Sequence, residues 1–268
     1  MTRRLASTIA SIALVALGLG IAYTAAPSAS AGDSEDVATI RAFMNRPDLA
    51  VVEHATPPGP RARTERDYST LDGQTSFVVD PQSRMVVAAI MPFDKPGVGP
   101  DVGRDRALQV AREFATPRVP GFAKLELSDD ELLDHGAGGR EYLFEWAEQL
   151  GTQKAVGPQL VSISVNAASG TVRSLVQVPP VPVTVNTEPT ISRDQALAIA
   201  AQRFNAPVTT SDSRLSVWWK NNDRTNVQIL RWTVTLQGRV SDHADRISPN
   251  RAAYVIDAHT GEILEVLR

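Results

Sequence analysis

The side chains with most chemistry to offer are four histidines and a run of carboxylates. His54, His135, His243 and His259 are too widely spaced for a His-Glu-x-x-His pair, which sets two imidazoles one helical turn apart on a zinc ion. Asp242, His243 and Asp245 stand close enough to hold a cation, but a polar loop between two strands accounts for the same residues. Asp129, Asp130, Glu131 and Asp134 gather hard oxygens of the kind Ca2+ takes. They lack the EF-hand spacing and its glycine, so a solvated acidic face between strands is the better reading. No Gly-x-Ser-x-Gly or Ser-x-x-Lys marks a serine nucleophile. No glycine-rich phosphate loop is present. The sequence therefore offers no catalytic, cofactor-binding or metal-binding residue.

The aromatic residues offer surface instead. Trp218 and Trp219 are adjacent, so on a strand they face opposite sides. Trp146, Trp219 and Trp232 read as core, with Trp146 and Trp232 in corresponding places. Trp218 is the candidate for a partner surface, because tryptophan is enriched at interface hot spots.

These residues must be positioned by elements that recur. One eight-residue pattern appears three times: Val79-Asp80-Pro81-Gln82-Ser83-Arg84-Met85-Val86, Val165-Asn166-Ala167-Ala168-Ser169-Gly170-Thr171-Val172, and Ile256-Asp257-Ala258-His259-Thr260-Gly261-Glu262-Ile263. An Asp or Asn at a turn entrance accepts hydrogen bonds from the backbone N–H groups just ahead. A glycine at the exit suits a left-handed residue. Asp257, Gly261, Asn166 and Gly170 therefore read as structural turn residues. Arg84 stands where the glycine belongs and Pro81 follows the Asp, which predicts a different turn in the first copy. His259 lies in the third turn and reads as solvated.

A helical pattern precedes each copy. Ser192 with Gln195 makes a capping box, and Leu197, Ala200, Ala201 and Phe204 form a stripe that ends before Pro207. Gly103 opens a second stripe of Ala107, Val110, Ala111 and Phe114, stopped by Thr116-Pro117. A weaker helix runs from Ser34 to about Met44, with Val37, Ile40, Arg41 and Met44 in line. Alternating strands follow each helix, among them Leu215 to Trp219, Leu230 to Leu236, Phe122 to Leu127 and Tyr142 to Trp146. Proline-rich stretches at 56–60, 92–100 and 179–189 separate the segments.

The ordered series of capped helix, Trp-bearing strand Arg231-Trp232-Thr233-Val234 and closing Val255-Ile256-Asp257-Ala258-His259-Thr260-Gly261-Glu262-Ile263 hairpin resembles the PepSY family. The middle segment is similar through Tyr142-Leu143-Phe144-Glu145-Trp146 and Val161-Ser162-Ile163-Ser164-Val165-Asn166, as in tandem-PepSY proteins of the YcdB/YcdC kind. The resemblance implies an α+β fold of tandem PepSY-like units, each with one helix packed across a curved antiparallel sheet. It divides the chain into a divergent unit at 32–98, a second at 99–180 and a third at 190–268. It also implies a non-enzymatic, extracytoplasmic role as a binding module for a peptidase or another envelope protein. A scaffold or sensor of the cell envelope without a peptidase target is the alternative, and a hydrolase with an unfamiliar site is a third class.

The rest of the sequence bounds that reading. Arg3 and Arg4, the apolar run from Ile9 to Tyr23 and the small residues Ala29-Ser30-Ala31 describe a signal peptide over 1–31, cut between Ala31 and Gly32. Retention as a membrane anchor is the other reading of that run. No later segment reaches a transmembrane length. Cleavage removes two of the 27 basic residues and none of the 30 acidic ones, which leaves a net charge of −5. That balance argues against nucleic acid and anionic membrane surfaces as partners. The chain has no cysteine, so disulfides, thiolate metal sites and a lipidated cysteine are all excluded.

Overall fold

The computed structural model describes residues 34–54, 65–92, 100–204, 206–220, 227–238 and 250–267. The signal-peptide reading, with Ala31 and Gly32, lies outside these residues, and so do Asp242, His243 and Asp245. The fold is mixed α+β, with three α-helices and extensive antiparallel pairing among the described residues. No described helix is long and apolar enough to cross a membrane.

The chain divides into two compact units, one of residues up to Trp146 with Gln159–Pro180, the other of Ala147–Pro158 with Val181–Arg268. In the first unit, helix α1 (Glu35–Met44) precedes strands β1 (Val51–His54), β2 (Arg66–Thr70), β3 (Ser76–Asp80) and β4 (Met85–Ile90). Helix α2 (Arg104–Ala115) then precedes β5 (Glu126–Asp134), β6 (Arg140–Leu150), β7 (Ala155–Asn166) and β8 (Val172–Val178). The ends of β6 and β7 lie in the second unit. There, helix α3 (Arg193–Arg203) precedes β9 (Val208–Trp219), β10 (Gln228–Gly238), β11 (Asn250–Asp257) and β12 (Ile263–Leu267). The order of one helix and four strands thus occurs three times along the chain.

Within the first unit, β1 to β4 form an antiparallel meander, and β4 then pairs antiparallel with β8, which pairs with β7. One face packs on α1 and α2 through Val37, Ile40, Ala107, Ala111, Phe77, Phe144, Trp146 and Ile163. In the second unit, β9 to β12 form a second meander. Ala196 and Ala200 of α3 pack on Leu215, Val217, Leu230, Trp232, Val234, Tyr254 and Ile256. Alanines at the helix contacts let the helix approach the sheet closely, while the bulk comes from the strands.

The caps follow the sequence. Ser192 and Gln195 form the reciprocal capping box, and Gly103 takes the cap of α2. Leu197, Ala200 and Phe204 of the expected α3 stripe pack on the core, whereas Ala201 is exposed, and Ala196 and Ile199 face the core as well. Phe122 to Lys124 is a 3-10 turn, so β5 starts later than the alternation suggested and carries the acidic residues itself.

The three turns share one geometry. Asp257 Oδ1 accepts from the N–H groups of His259 (2.8 Å) and Thr260 (2.9 Å). Asn166 Oδ1 accepts from Ala168 (2.8 Å) and Ser169 (3.1 Å), and Asp80 Oδ1 accepts from Gln82 (3.0 Å). Gly170 and Gly261 lie at φ 70° and 77°, and Arg84 at φ 53°. The expectation of a different first turn is therefore overturned. Arg84 enters the left-handed region, and its Nη1 reaches Glu35 Oε1 at 2.8 Å across an exposed pair. The left-handed region costs a non-glycine residue about 1–2 kcal/mol. Gly261→Arg should therefore lower stability by about that amount. Arg84→Gly should be nearly neutral, because relief of the strain is offset by a looser unfolded chain and a lost exposed ion pair worth about 0–1 kcal/mol. Denaturant midpoints of the two variants check this, and a larger loss in Arg84→Gly than in Gly261→Arg would overturn it.

What distinguishes the first turn is Pro81. The N–H of Ala258 donates to Leu230 O and that of Ala167 to Arg140 O, both within 2.9 Å. Proline, in the same place, has no N–H to give. The same bonds correct a second expectation. They align Leu230 with Arg140, which sets Trp232 against Tyr142 and leaves Trp146 opposite Leu236.

Candidate functional site

The residues singled out for chemistry do not converge. His54 Nε2 meets Ser69 Oγ at 2.7 Å in β1 and β2, and His135 Nε2 meets Glu141 Oε1 at 2.9 Å. His259 stands in its turn, with Nε2 3.2 Å from Glu188 O. Asp130 is engaged by Arg104, whose Nε and Nη2 donate to its two oxygens at 2.7 and 2.8 Å. That fork ties the start of α2 to β5 and gives the acidic run a structural partner. No group of three or more acidic or histidine side chains among the described residues is arranged to hold a metal ion.

Trp218 is half-buried rather than open. Its ring stands edge-on to Trp219 at 5.1 Å, and the Arg231 guanidinium lies over it at 5.3 Å. Burial pushes Arg231 down to about 10, opposed by the charge of Glu265. Trp219, Trp146 and Trp232 are all buried. Trp218 thus presents a ring edge braced by a cation, on the sheet face away from α3.

A concave site forms elsewhere in the second unit. A cleft of about 440 Å³ is lined by Gln153, Lys154, Val156, Arg193, Ser213, Arg214, Leu215 and Trp232. Its origin is local. The hairpin turn at 151–154 bends through two left-handed residues, Gly151 at φ 66° and Lys154 at φ 50°. Glu188 pins this turn, because its carboxylate accepts from Thr152 N at 3.1 Å and Thr152 Oγ1 at 3.0 Å. Past the turn, β7 and β9 run parallel with the register Val156↔Ser216. The cleft opens on the N-terminal side of that pair, where Lys154 and Arg214 lie on the two chains. Arg193, the first residue of α3, closes a third side, with its Nε donating to Ser213 Oγ at 2.7 Å. Val156, Leu215 and Trp232 are buried and form an apolar floor. The Trp232 indole N–H is spent on Ile191 O at 2.8 Å, so the ring contributes hydrocarbon and π surface only.

The proline-rich segment before α3 belongs to the same unit. Val183 and Val185 pack on its core. Gln228 accepts from Thr184 N at 2.8 Å and donates to Pro182 O at 2.9 Å. The proline-rich stretch that separates the last two segments in the sequence is thus a strap tied to β10.

Part of the unit that holds the cleft matches a known family. Residues 190–267 match a family model described as "Peptidase propeptide and YPEB domain". Residues 190–267 are a PepSY domain. No curated protein matches the chain. Among solved structures, it is similar to the Bacillus megaterium YpeB C-terminal domain at 15% identity and a TM-score of 0.40, over 89% of this chain and 97% of that one. It is also similar to an uncharacterized protein from Eubacterium rectale at 11% identity and a TM-score of 0.47, over 87% and 81%.

The PepSY domain therefore carries the closing turn of Asp257 and Gly261 and the Trp218–Arg231 contact, and it shares the cleft with Gln153, Lys154 and Val156 from outside the matched residues. Lys154, Arg193 and Arg214 were not singled out as a group by the sequence. They are 39 and 21 residues apart, and no periodicity links a hairpin turn, a helix start and a strand.

Proposed function

We propose that this chain is an exported, non-catalytic binding protein that modulates a secreted or envelope peptidase. The observation that carries this reading is the match of residues 190–267 to a family described by its occurrence as a peptidase propeptide. A leader over 1–31 delivers it, and three PepSY-like units at 32–98, 99–180 and 190–268 make up the mature protein, the first of them divergent. In this reading the turn residues Asp257, Gly261, Asn166 and Gly170 maintain the scaffold. Trp218 and its braced ring edge belong to a surface available to a partner.

The test mixes the purified mature protein with secreted peptidases and solubilised envelope fractions. Inhibition of a peptidase, or its retention in a stable complex, supports the proposal. Absence of both inhibition and any retained peptidase overturns it. Recovery of envelope-assembly proteins alone favours a scaffold role instead.

A further inference from the structure

The strap that leads into α3 is held as a peptide ligand is held. Residues 181–189 lie outside the helices and strands, and they belong entirely to the second unit. Their side chains alternate. Val181, Val183, Val185, Thr187 and Pro189 are half-buried, while Pro182, Thr184, Asn186 and Glu188 are exposed. That is the period of an extended chain with one face against a surface. Val183 and Val185 pack on the core that contains Leu230 and Trp232.

The main chain of the strap is recognised separately. Gln228 Oε1 accepts from Thr184 N at 2.8 Å and its Nε2 donates to Pro182 O at 2.9 Å, so one side-chain amide spans the residue between them. A neighbouring parallel strand would bond the same two groups, the C=O before Val183 and the N–H after it. The Gln228 amide therefore stands in for a strand. It reads main chain, while the places taken by Val183 and Val185 read side-chain shape. Main-chain bonds combined with pockets for alternate side chains are the recognition mode of strand addition.

The two ends of the strap are held differently. Thr152 N and Oγ1 donate to the Glu188 carboxylate, and Thr190 N and Ile191 N donate to Ala258 O at 3.0 and 2.8 Å. Among the described residues, the Val181–Val185 end rests on the Gln228 clamp and the half-buried valines.

We propose that residues 181–186 are a resident ligand in a groove for extended peptides, and that a partner segment with β-branched apolar residues two apart displaces them. The Val181 end lifts off, and the Glu188 end keeps the entrance to α3 in place. This groove rests on the binding role proposed above and adds the chemistry of the segment that is bound.

The experiment titrates the mature protein into a fluorescein-labelled peptide that copies residues 181–187, followed by anisotropy. Each change is made once in the strap and once in the peptide. Thr184→Pro removes the N–H that Gln228 holds and suits an extended chain. In the strap it weakens the competitor, so the unmodified peptide should bind about fivefold more tightly than to the wild type, the worth of one neutral hydrogen bond. Proline at the matching place of the peptide should weaken binding by about the same factor. Val183→Ser with Val185→Ser should act in the same opposed way, by at least about tenfold in each direction. Unfolding midpoints identify the folded strap variants, and the peptide variants are read on the wild-type protein, so neither half depends on a single substitution. Strap changes that weaken the peptide, a serine peptide that binds as well as the valine peptide, or no binding of the unmodified peptide to the wild type and the folded strap variants would each overturn the proposal. Retention of a peptidase that Thr184→Pro leaves unchanged would overturn this groove and leave the proposed function standing. Opposed effects on the peptide with no peptidase retained would support the groove and overturn the peptidase reading.

Discussion

Trp232→Ala should lower the unfolding free energy of the PepSY domain by about 3–5 kcal/mol, the range for a large aromatic side chain removed from a packed core. Trp232 is only 5% exposed and lies opposite Leu215 on β9 and Ile256 on β11. Its loss leaves a void between the sheet and the segment leading into α3. The indole N–H also holds Ile191 O, while the Ile191 N–H donates to Ala258 O and Ala258 N–H to Leu230 O. These bonds run from β10 through the helix entrance to the closing turn and back to β10. Breaking one link leaves a carbonyl without its partner at the residue that sets up the Ser192 cap. Trp232→Phe separates the two contributions. It retains most of the volume and loses the hydrogen bond, so it should cost about 1–2 kcal/mol. Urea unfolding followed by far-UV circular dichroism, at constant m value, measures both. A loss in Trp232→Ala no larger than in Trp232→Phe would sink the packing argument.

That chain of bonds also marks where sequence reading succeeds. The turn is local chemistry: an Asx side chain, the N–H groups two and three residues ahead, and a left-handed exit at fixed spacing. All of it is written within eight residues, so the Asp257 and Asn166 turns were legible. Ser192 and Gln195 were legible for the same reason. Arg84 was misread because local propensity was taken as decisive. A cost of about 1–2 kcal/mol is small against the pairing of β3 with β4, which holds the turn from both ends. The departure of the α3 stripe at Ala201, with Ala196 in the contact, has a related cause. Alanine and leucine are both apolar in a sequence pattern, but close approach to the sheet selects the small Ala196 and Ala200 for the contact.

The cleft was illegible because it depends on register. Lys154 and Arg214 become neighbours only when Val156 pairs with Ser216 in parallel, across 60 residues of chain. Arg193 joins them only because α3 starts beside Ser213. None of these relations leaves a period or a motif. The Trp146–Trp232 correspondence failed in the same way. Two tryptophans in strands of similar composition invite alignment, and only the hydrogen bonds from Ala167 and Ala258 show that it is four residues out of step.

The same limit concealed a buried carboxylate in the first unit, and its removal is the second large effect expected. Asp36 is 6% exposed in the first turn of α1. Its Oδ2 accepts from the Tyr68 hydroxyl at 2.9 Å and from Arg66 Nη1 at 3.1 Å, so two residues of β2 are tied to the helix start. Asp36→Ala should cost about 2–4 kcal/mol. Most of this is the Tyr68 hydroxyl left buried without an acceptor, about 1–3 kcal/mol. The favourable charge at the helix N-terminus adds about 0.3–1 kcal/mol. The half-exposed Arg66 contact adds little, because solvent screens it. Tyr68→Phe alone should cost less, because the carboxylate keeps Arg66. Adding Asp36→Ala to Tyr68→Phe should then cost less than Asp36→Ala does alone, since no stranded hydroxyl remains. The pair also predicts an alkaline signature. Burial, then the hydrogen bond to Asp36 and its charge, raise Tyr68 from 10.0 to about 12. Between those values the unfolded chain has released the proton and the folded chain has not, so stability falls as pH rises through that window. Tyr68→Phe should flatten that fall, and Asp36→Ala should narrow it without removing it, because burial is the larger cause. Unfolding midpoints across pH 9–12 read all three. A fall of undiminished size in Tyr68→Phe would assign the alkaline transition to another group and detach it from this contact.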